Sequence, residues 1–184
     1  LMITNPEDTG IYNPRIADFV DLVHRAGGLC AYDQANANGI LGITRAHEAG
    51  FDLCHFNLHK TFSTPHGCGG PGGGVVGVTD ALSKFLPVPL VTFDGETYAL
   101  DFDRPESIGK IGPFYGNASV VLKAYAWVMS LGAEGLRTAS EIAVLNNNYL
   151  LHHMVQIPGV SAPYAQGRRR IEQVRYSWAG LTEE

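Results

Sequence analysis

The chain has 184 residues, of which 45% are hydrophobic and 17% are charged, and its formal net charge is −5. This length fits one domain, or one domain and part of another, and the composition is that of a chain that forms a hydrophobic core. The negative net charge provides no basic field for nucleic acid or for an anionic membrane surface. No apolar run approaches the roughly 20 residues of a membrane span, so we expect neither nucleic acid nor a membrane as a partner.

The elements predicted from periodicity alternate between strands and helices through the first half of the chain. They are a strand at 1–4, a helix at 13–28, a strand at 29–33, a helix at 43–50, a strand at 51–57, a strand at 74–78 and a helix at 79–86. This alternation predicts an α/β domain with a largely parallel sheet. Because the sequence starts inside a strand, we expect the chain to be a fragment of a longer protein.

The second half of the chain is predicted to be more helical. The expected elements are a hairpin around 94–96, helices at 117–135 and about 134–155 and an alternating strand at 171–176. We expect Tyr125 and Trp127 to lie in the core, and the basic run 168–170 to form a solvated or salt-bridged face.

Three cysteines, Cys30, Cys54 and Cys68, lie in or near apolar, strand-like segments and show no CxxC spacing. This pattern predicts reduced, buried thiols and a cytoplasmic location, because a disulfide framework uses paired, regularly spaced cysteines. The predicted placement outside a mobile loop also argues against a nucleophilic thiol. No metal-ligand cluster with zinc spacing is present in the sequence.

Two residues at strand ends carry the chemical signal. Lys60 follows the strand at 51–57 and precedes a glycine-rich stretch, and Asp33 ends the strand at 29–33. Ligands of parallel sheets bind beyond the carboxyl ends of the strands. Burial there lowers the pKa of a lysine, and its neutral amine can then attack a carbonyl group. The pair therefore predicts pyridoxal 5′-phosphate (PLP), with a Schiff base on Lys60 and Asp33 holding the proton of the pyridine nitrogen.

Other residues near these strand ends are further candidates. His59 and Asn57 are placed to contact the cofactor phosphate, Ala35 to pack flat against the ring, Thr4 and Asn5 to meet a cofactor or substrate oxygen, and His66 to act as an acid or base. Each candidate also has a structural interpretation. Lys60 can cap carbonyl groups, Asp33 can form an Asx-turn, and the histidines can serve as loop residues.

The glycine-rich stretch at 67–74 excludes two common nucleotide sites. It contains no Gly-Lys-Ser/Thr sequence, which a phosphate-loop NTPase requires. Its glycines also do not open a helix after the first strand, as a dinucleotide-binding motif requires. We therefore expect these glycines to let the backbone approach a flat ligand closely, because glycine has no Cβ atom.

The motifs resemble the glycine decarboxylase P-protein of the glycine cleavage system, a fold-type-I PLP enzyme. The runs that carry this resemblance are 32–38, 54–62, 65–72, 132–136 and 143–149, so that it covers roughly residues 1–150. The resemblance implies part of the large domain of this fold, with a mixed, mostly parallel sheet and flanking helices, followed by the start of an α+β small domain. The implied division is a partial PLP-binding large domain at 1–115, and connecting helices with part of the small domain at 116–184.

The resemblance also implies an activity and partners. The expected activity is that of a glycine dehydrogenase (aminomethyl-transferring, decarboxylating) component, which decarboxylates glycine and passes the aminomethyl group to the lipoyl arm of the H-protein. The chain is expected to correspond to the catalytic C-terminal-half subunit or a paralogue, with the N-terminal-half subunit as a partner in a homo- or hetero-oligomer. The family's phosphate loop and ring-stacking residue precede the part seen here, so we expect the fragment alone to be inactive.

Two other functions stay open from the sequence. One is another fold-type-I PLP lyase or transferase, such as a cysteine-desulfurase-like enzyme, since these also carry a His-Lys pair before a glycine-rich loop. The other is a catalytically silent assembly subunit.

Overall fold

A computed structural model describes residues 1–181, and its central feature is a four-stranded sheet in the order β1-β2-β3-β4. The strands are β1 (Met2–Thr4), β2 (Ala31–Gln34), β3 (Leu53–Asn57) and β4 (Gly74–Val78). The first three run parallel, and β4 pairs antiparallel with β3. The predicted α/β architecture with a mostly parallel sheet is therefore confirmed.

Helix α1 (Ile16–Arg25) connects β1 to β2, and the two predicted glycines at 27–28 follow its C-cap, Ala26. Gly27 has a φ of 77°, a conformation that L side chains rarely adopt. In this conformation the Gly27 N–H donates to His24 O and the Gly28 N–H donates to Val23 O, both at 2.9 Å. These bonds satisfy carbonyl groups that the last helical turn would otherwise leave without partners.

The core lies between α1 and one face of the sheet. Ile16 and Val20 of α1 are buried together with Cys30, Tyr32 and Phe51, and the rings of Tyr32 and Phe51 stack with centroids 4.5 Å apart. Because side chains alternate along a strand, Asp33, which follows Tyr32, points to the opposite face. The residues of interest at the carboxyl ends of the strands are thus separated from this core.

The remaining helices and strands are α2 (Leu58–Thr61), α3 (Asp80–Ser83), the hairpin β5 (Leu90–Phe93) with β6 (Tyr98–Asp101), and α4 (Ala118–Met154). Helix α4 is interrupted at Gly132, which has a φ of 63° and a ψ of −174°, so the two predicted helices are confirmed. Val120 and Ala124 of α4 pack on Leu58 of α2. Further along, Ser140 Oγ donates to Leu41 O at 3.0 Å.

The predicted helix at 43–50 is wrong, since only a three-residue 3-10 helix, His47–Ala49, is formed. The Gly50 N–H donates to His47 O and the Phe51 N–H donates to Ala46 O. Gly50 has a φ of 85°, and this turns the chain directly into β3 after a single helical turn.

The predicted strand at 171–176 is also wrong. The Ile171 N–H donates to Gly10 O at 2.8 Å, and the Arg170 N–H donates to Asn148 Oδ1 at 2.9 Å. The backbone here therefore bonds to a loop and to a helix side chain, and not to a strand. Arg170 is buried and its guanidinium donates to backbone carbonyl groups, so the basic run is not uniformly solvated.

Helix α4 presents much apolar surface in the part of the chain that the structure describes. Tyr125, which we expected in the core, is 60% exposed, and Leu122 is 67% exposed. Trp127 is half-buried, and its ring packs edge-on against Phe62 just after α2. Among the described residues, no helix combines the length and the apolar character that crossing a membrane requires.

Candidate functional site

Asp33 lies near the carboxyl end of β2, between its register partners Thr4 on β1 and His55 on β3. Its Oδ1 accepts the Ala35 N–H at 2.9 Å, which is the Asx-turn that the structural interpretation describes. That turn uses one carboxylate oxygen and leaves Oδ2 for another donor. Thr4 is exposed, and it lines a surface cavity of about 570 Å³ together with Asp33.

Lys60 is exposed, although we expected it to be buried at the end of the strand. Strand β3 ends at Asn57, and Lys60 occupies the single-turn helix α2 with its side chain exposed. Among the described residues, no carboxylate lies within ion-pairing distance of its amine. The described residues thus leave the amine accessible to solvent.

Two hydrogen bonds join the segment after Asp33 to the segment that carries Lys60. The Asn57 N–H donates to Ala35 O at 3.3 Å, and the Ala37 N–H donates to Thr61 Oγ1 at 2.9 Å. Ala37 is fully buried and Thr61 is 9% exposed, so water does not compete for the second bond. Thr61, which the sequence analysis missed, therefore helps to fix the Asp33 segment relative to α2.

His55 is a second residue that the sequence analysis missed. It lies directly beside Asp33 in the β2–β3 register, and its Nε2 is 2.7 Å from Asn57 Oδ1. Residues two apart on a strand point to the same face. The spacing of His55 and Asn57 on the predicted strand could therefore have identified them as neighbours. This bond orients the Asn57 side chain on the face that carries Asp33.

The glycine-rich stretch folds back on His59. The ring nitrogen Nδ1 of His59 lies 3.3 Å from Gly73 O, and a Cβ atom on Gly72 would lie 3.0 Å from the same nitrogen. The ring of His66 packs edge-on against that of His59, with centroids 4.9 Å apart. The structure therefore brings the two predicted histidines together, and a side chain at position 72 would fit against His59 only if the ring moved by a few tenths of an ångström.

Cys68 lies at the exposed tip of this glycine-rich loop, between Gly67 and Gly69. All three residues have positive φ angles, and that of Cys68 is 58°. Our expectations that this thiol is buried and that no cysteine lies on a loop are therefore wrong. Cys30 is buried, as expected, whereas Cys54 is only half-buried, and all three thiols are free.

Asn5 is not available to a ligand. Its amide donates to Asn13 O at 3.1 Å, and its Oδ1 accepts the Asn13 N–H at 2.8 Å. Its backbone carbonyl accepts the hydroxyl of Tyr32, and burial raises the pKa of this phenol, which keeps it a neutral donor. Asn5 therefore stabilises the loop after β1, which corrects its suggested role as an oxygen contact.

No protein-family model matches the chain, but individual proteins are similar to it. It is 57% identical over 150 residues to a protein of Caldanaerobacter subterraneus subsp. tengcongensis named "Probable glycine dehydrogenase (decarboxylating) subunit 2". The match covers 82% of this chain and 31% of that protein. A Pyrococcus abyssi protein of the same name is 50% identical over 171 residues, which are 92% of this chain and 34% of that protein. The chain thus spans about a third of the length of the curated relatives it matches.

Solved structures share the fold at lower identity. A glycine decarboxylase (P-protein) of the glycine cleavage system, in inhibitor-bound form, superposes with a TM-score of 0.68 at 20% identity, covering 90% of this chain and 40% of that chain. A cysteine desulfurase from Escherichia coli has a TM-score of 0.58 at 17% identity, covering 98% and 44%. The resemblance to the glycine decarboxylase P-protein and the predicted fold class are therefore confirmed.

Proposed function

We propose that this chain is the PLP-binding catalytic segment of a glycine decarboxylase, which acts on glycine and passes the aminomethyl group to the lipoyl arm of an H-protein. The observation that carries the proposal is the placement of Asp33 and Lys60 at the carboxyl ends of two adjacent parallel strands, with two hydrogen bonds between their segments. The identity of 50–57% to proteins named glycine dehydrogenase (decarboxylating) subunit 2 supports the choice of reaction.

The residues present fit PLP in their chemistry. Lys60 would attach the aldehyde, and Asp33 Oδ2, which the Asx-turn leaves unused, would hold the pyridine nitrogen proton. The absence of a Cβ atom on Gly72 lets the glycine-rich loop lie directly against the ring of His59. When bound, PLP supplies an electron sink for the carbanion that remains when CO2 leaves.

Further residues of the site would position the cofactor and move protons. Ala35 is small enough to lie against the ring, while Asn57, His59 and Thr4 offer polar groups at the same edge of the sheet. His66 would give or take the proton at the substrate carbon, with its ring held by the contact to His59.

Lys60 requires a cover that the described residues do not supply. Its amine is exposed, whereas a reactive lysine needs desolvation to favour the neutral form. We therefore propose that the chain works in an oligomer, formed either with further copies of itself or with an N-terminal-half subunit. In this oligomer, residues of another subunit would cover the edge of the sheet next to Lys60. The chain alone should then bind PLP weakly and should not decarboxylate glycine.

The first experiment locates the covalent site. The chain is incubated with PLP, its absorbance spectrum is recorded, and borohydride reduction is followed by peptide mapping. The adduct should lie on Lys60 and disappear in Lys60→Arg, while Lys123→Arg, a matched change at another exposed lysine, should leave it unchanged. An adduct spread evenly over Lys84, Lys110 and Lys123 would contradict the proposal.

The second experiment tests the reaction by glycine–bicarbonate exchange in the complex with the partner subunit and lipoylated H-protein. Asp33→Asn should keep the cofactor bound but reduce the exchange about 100- to 1000-fold, as expected for the loss of about 3–4 kcal/mol of transition-state stabilisation. Full exchange activity in this variant would remove Asp33 from its role.

The desulfurase alternative gains one observation, since Cys68 is an exposed thiol on the loop beside His66. In that case Cys68→Ser would abolish sulfur release from cysteine. We expect no such release, and we expect Cys68→Ser to keep glycine–bicarbonate exchange. A silent assembly subunit would show no bound-cofactor absorbance even in the complete complex, which the spectrum of the first experiment detects when it is repeated on that complex.

A further inference from the structure

A cluster of three different metal-ligating groups lies at the opposite end of the sheet from the proposed cofactor site. His24 is in the last turn of α1, Cys30 immediately precedes β2, and Asp52 immediately precedes β3. A ring nitrogen of His24, the Cys30 Sγ and a carboxylate oxygen of Asp52 all lie within 4.8 Å of one another. The end of α1 and the starts of β2 and β3 thus bring one nitrogen, one sulfur and one oxygen ligand together.

Hydrogen bonds already hold this cluster in place. His24 Nε2 is 2.9 Å from Asp52 Oδ2, and the Cys30 N–H donates to the same oxygen at 2.7 Å. These two contacts fix the Asp52 carboxylate beside the imidazole of His24 and the buried thiol of Cys30.

We propose that His24, Cys30 and Asp52 bind a divalent cation of the zinc class, with a fourth coordination position open to water. Imidazole, thiolate and carboxylate are the ligands that zinc uses, and three protein ligands with a water form a known tetrahedral arrangement. A sulfur ligand disfavours magnesium and calcium, which prefer oxygen. The cation would lie between the three ligand atoms, where the His24–Asp52 hydrogen bond now runs.

Binding requires specific changes at the ligands. The Cys30 thiol loses its proton to solvent, because a coordinating thiol is deprotonated. His24 coordinates through Nε2 and keeps its ring proton on Nδ1, so that the hydrogen bond to Asp52 is replaced by one bond from each residue to the cation. Cys30 now points its thiol at Val20 O at 3.9 Å, a weak contact that the cation would replace.

The metal would join the end of α1 to the starts of β2 and β3, and would therefore stabilise the fold. The five residues of β3 separate Asp52 from the Lys60 segment by roughly 16 Å, at about 3.3 Å per residue. The proposal is thus independent of the cofactor, and either one can fail without the other.

The test is a titration of the full chain, stripped of metal with a chelator, with Co²⁺ as the probe. We expect one Co²⁺ per chain, with a thiolate-to-cobalt charge-transfer band and the intense visible bands of a tetrahedral site, and displacement by Zn²⁺. Cys30→Ser should abolish the charge-transfer band, whereas Cys54→Ala and Cys68→Ala, which remove the other two thiols, should keep it. Absence of the band in the unmodified chain, or its survival in Cys30→Ser, would overturn the proposal.

A second variant keeps the test decisive if Cys30→Ser fails to fold. The His24 side chain is 37% exposed, so His24→Gln should fold normally. Loss of this ligand should weaken Co²⁺ binding by more than the roughly 10- to 100-fold that the loss of an outer-shell partner costs. Unchanged affinity in His24→Gln would show that the His24–Asp52 pair is a hydrogen-bonded tether only and would overturn the metal site.

Discussion

Two buried threonines near the site offer a matched test of how the Lys60 segment is held. Thr61 and Thr64 are 9% and 3% exposed, and replacement by valine makes the same chemical change at both. Thr61 Oγ1 accepts the N–H of fully buried Ala37. The hydroxyl of Thr64, in contrast, has no hydrogen-bond partner among the described residues. The structure therefore predicts opposite effects for Thr61→Val and Thr64→Val.

The expected magnitudes follow from what each change leaves behind. Thr61→Val leaves the Ala37 N–H buried and unpaired, which should lower the free energy of unfolding by about 1–3 kcal/mol. Thr64→Val removes a buried hydroxyl that has no partner, so it should be neutral or stabilising by up to about 1 kcal/mol. With a urea m-value of about 2 kcal/mol/M, a loss of about 2 kcal/mol shifts the unfolding midpoint by about 1 M.

The measurement is equilibrium unfolding in urea, followed by circular dichroism at several protein concentrations. Thr61→Val should lower the midpoint and also decrease the borohydride-trapped PLP on Lys60, because the Asp33 segment is then held less firmly. A Thr61→Val midpoint equal to that of the unmodified chain would refute the assignment of the Ala37–Thr61 bond as a stabilising contact. A Thr64→Val variant that loses as much stability as Thr61→Val would show that the Thr64 hydroxyl has a partner.

Three further predictions concern other parts of the chain. Burial raises the pKa of Glu172 to about 7, above the unfolded value of about 4.3. Between these two values the folded state holds a proton that the unfolded state releases, so the free energy of unfolding should fall as the pH rises from about 4.3 to about 7. Discounted for the partial exposure of the side chain, the fall should be about 1–2 kcal/mol. In unfolding at several pH values, Glu172→Gln should flatten this fall and the exposed control Glu134→Gln should not; parallel pH profiles would contradict it. A Cβ atom on Gly74 would lie 2.9 Å from His55 Cε1, so Gly74→Ala should cost about 1–3 kcal/mol in urea unfolding, and an unchanged midpoint would exclude this contact. Because α4 exposes apolar surface, the chain should self-associate, as measured by light scattering, and Leu122→Glu should shift it towards monomer. An unmodified chain that stays monomeric at high concentration would contradict this prediction.

The order of elements and the edge that carries the candidate residues were predictable from sequence because local signals agree there. Apolar runs bounded by Asn5-Pro6 and Gly27-Gly28 delimit β1 and α1, and parallel strands place their carboxyl ends at one edge. The positions of Asp33 and Lys60 relative to this edge follow from that topology alone.

The misassigned elements depend on long-range partners that the local pattern does not contain. The segment around Ile171 alternates like a strand, but its N–H bonds to Gly10. Strand β3 ends at Asn57, as predicted, but the expected burial of Lys60 is wrong. The last β3–β4 register pair is Asn57 with Gly74, after which the Leu58 N–H donates to Gly73 O at 2.9 Å. The partner strand thus sets the end of β3, and it places Lys60 on a helical turn where its amine is exposed.

A candidate residue can stabilise the local backbone and still contact a ligand, because its side chain has more than one polar atom. Asp33 uses Oδ1 for its turn, and this fixes the direction of Oδ2. Asn57 uses its N–H for Ala35 O and its side-chain oxygen for His55, which leaves its NH2 group as a donor. His59 uses Nδ1 at Gly73 and retains Nε2. Each local bond therefore restricts the side chain to one orientation while a second atom remains for a ligand, and a site built in this way loses little side-chain entropy when the ligand binds.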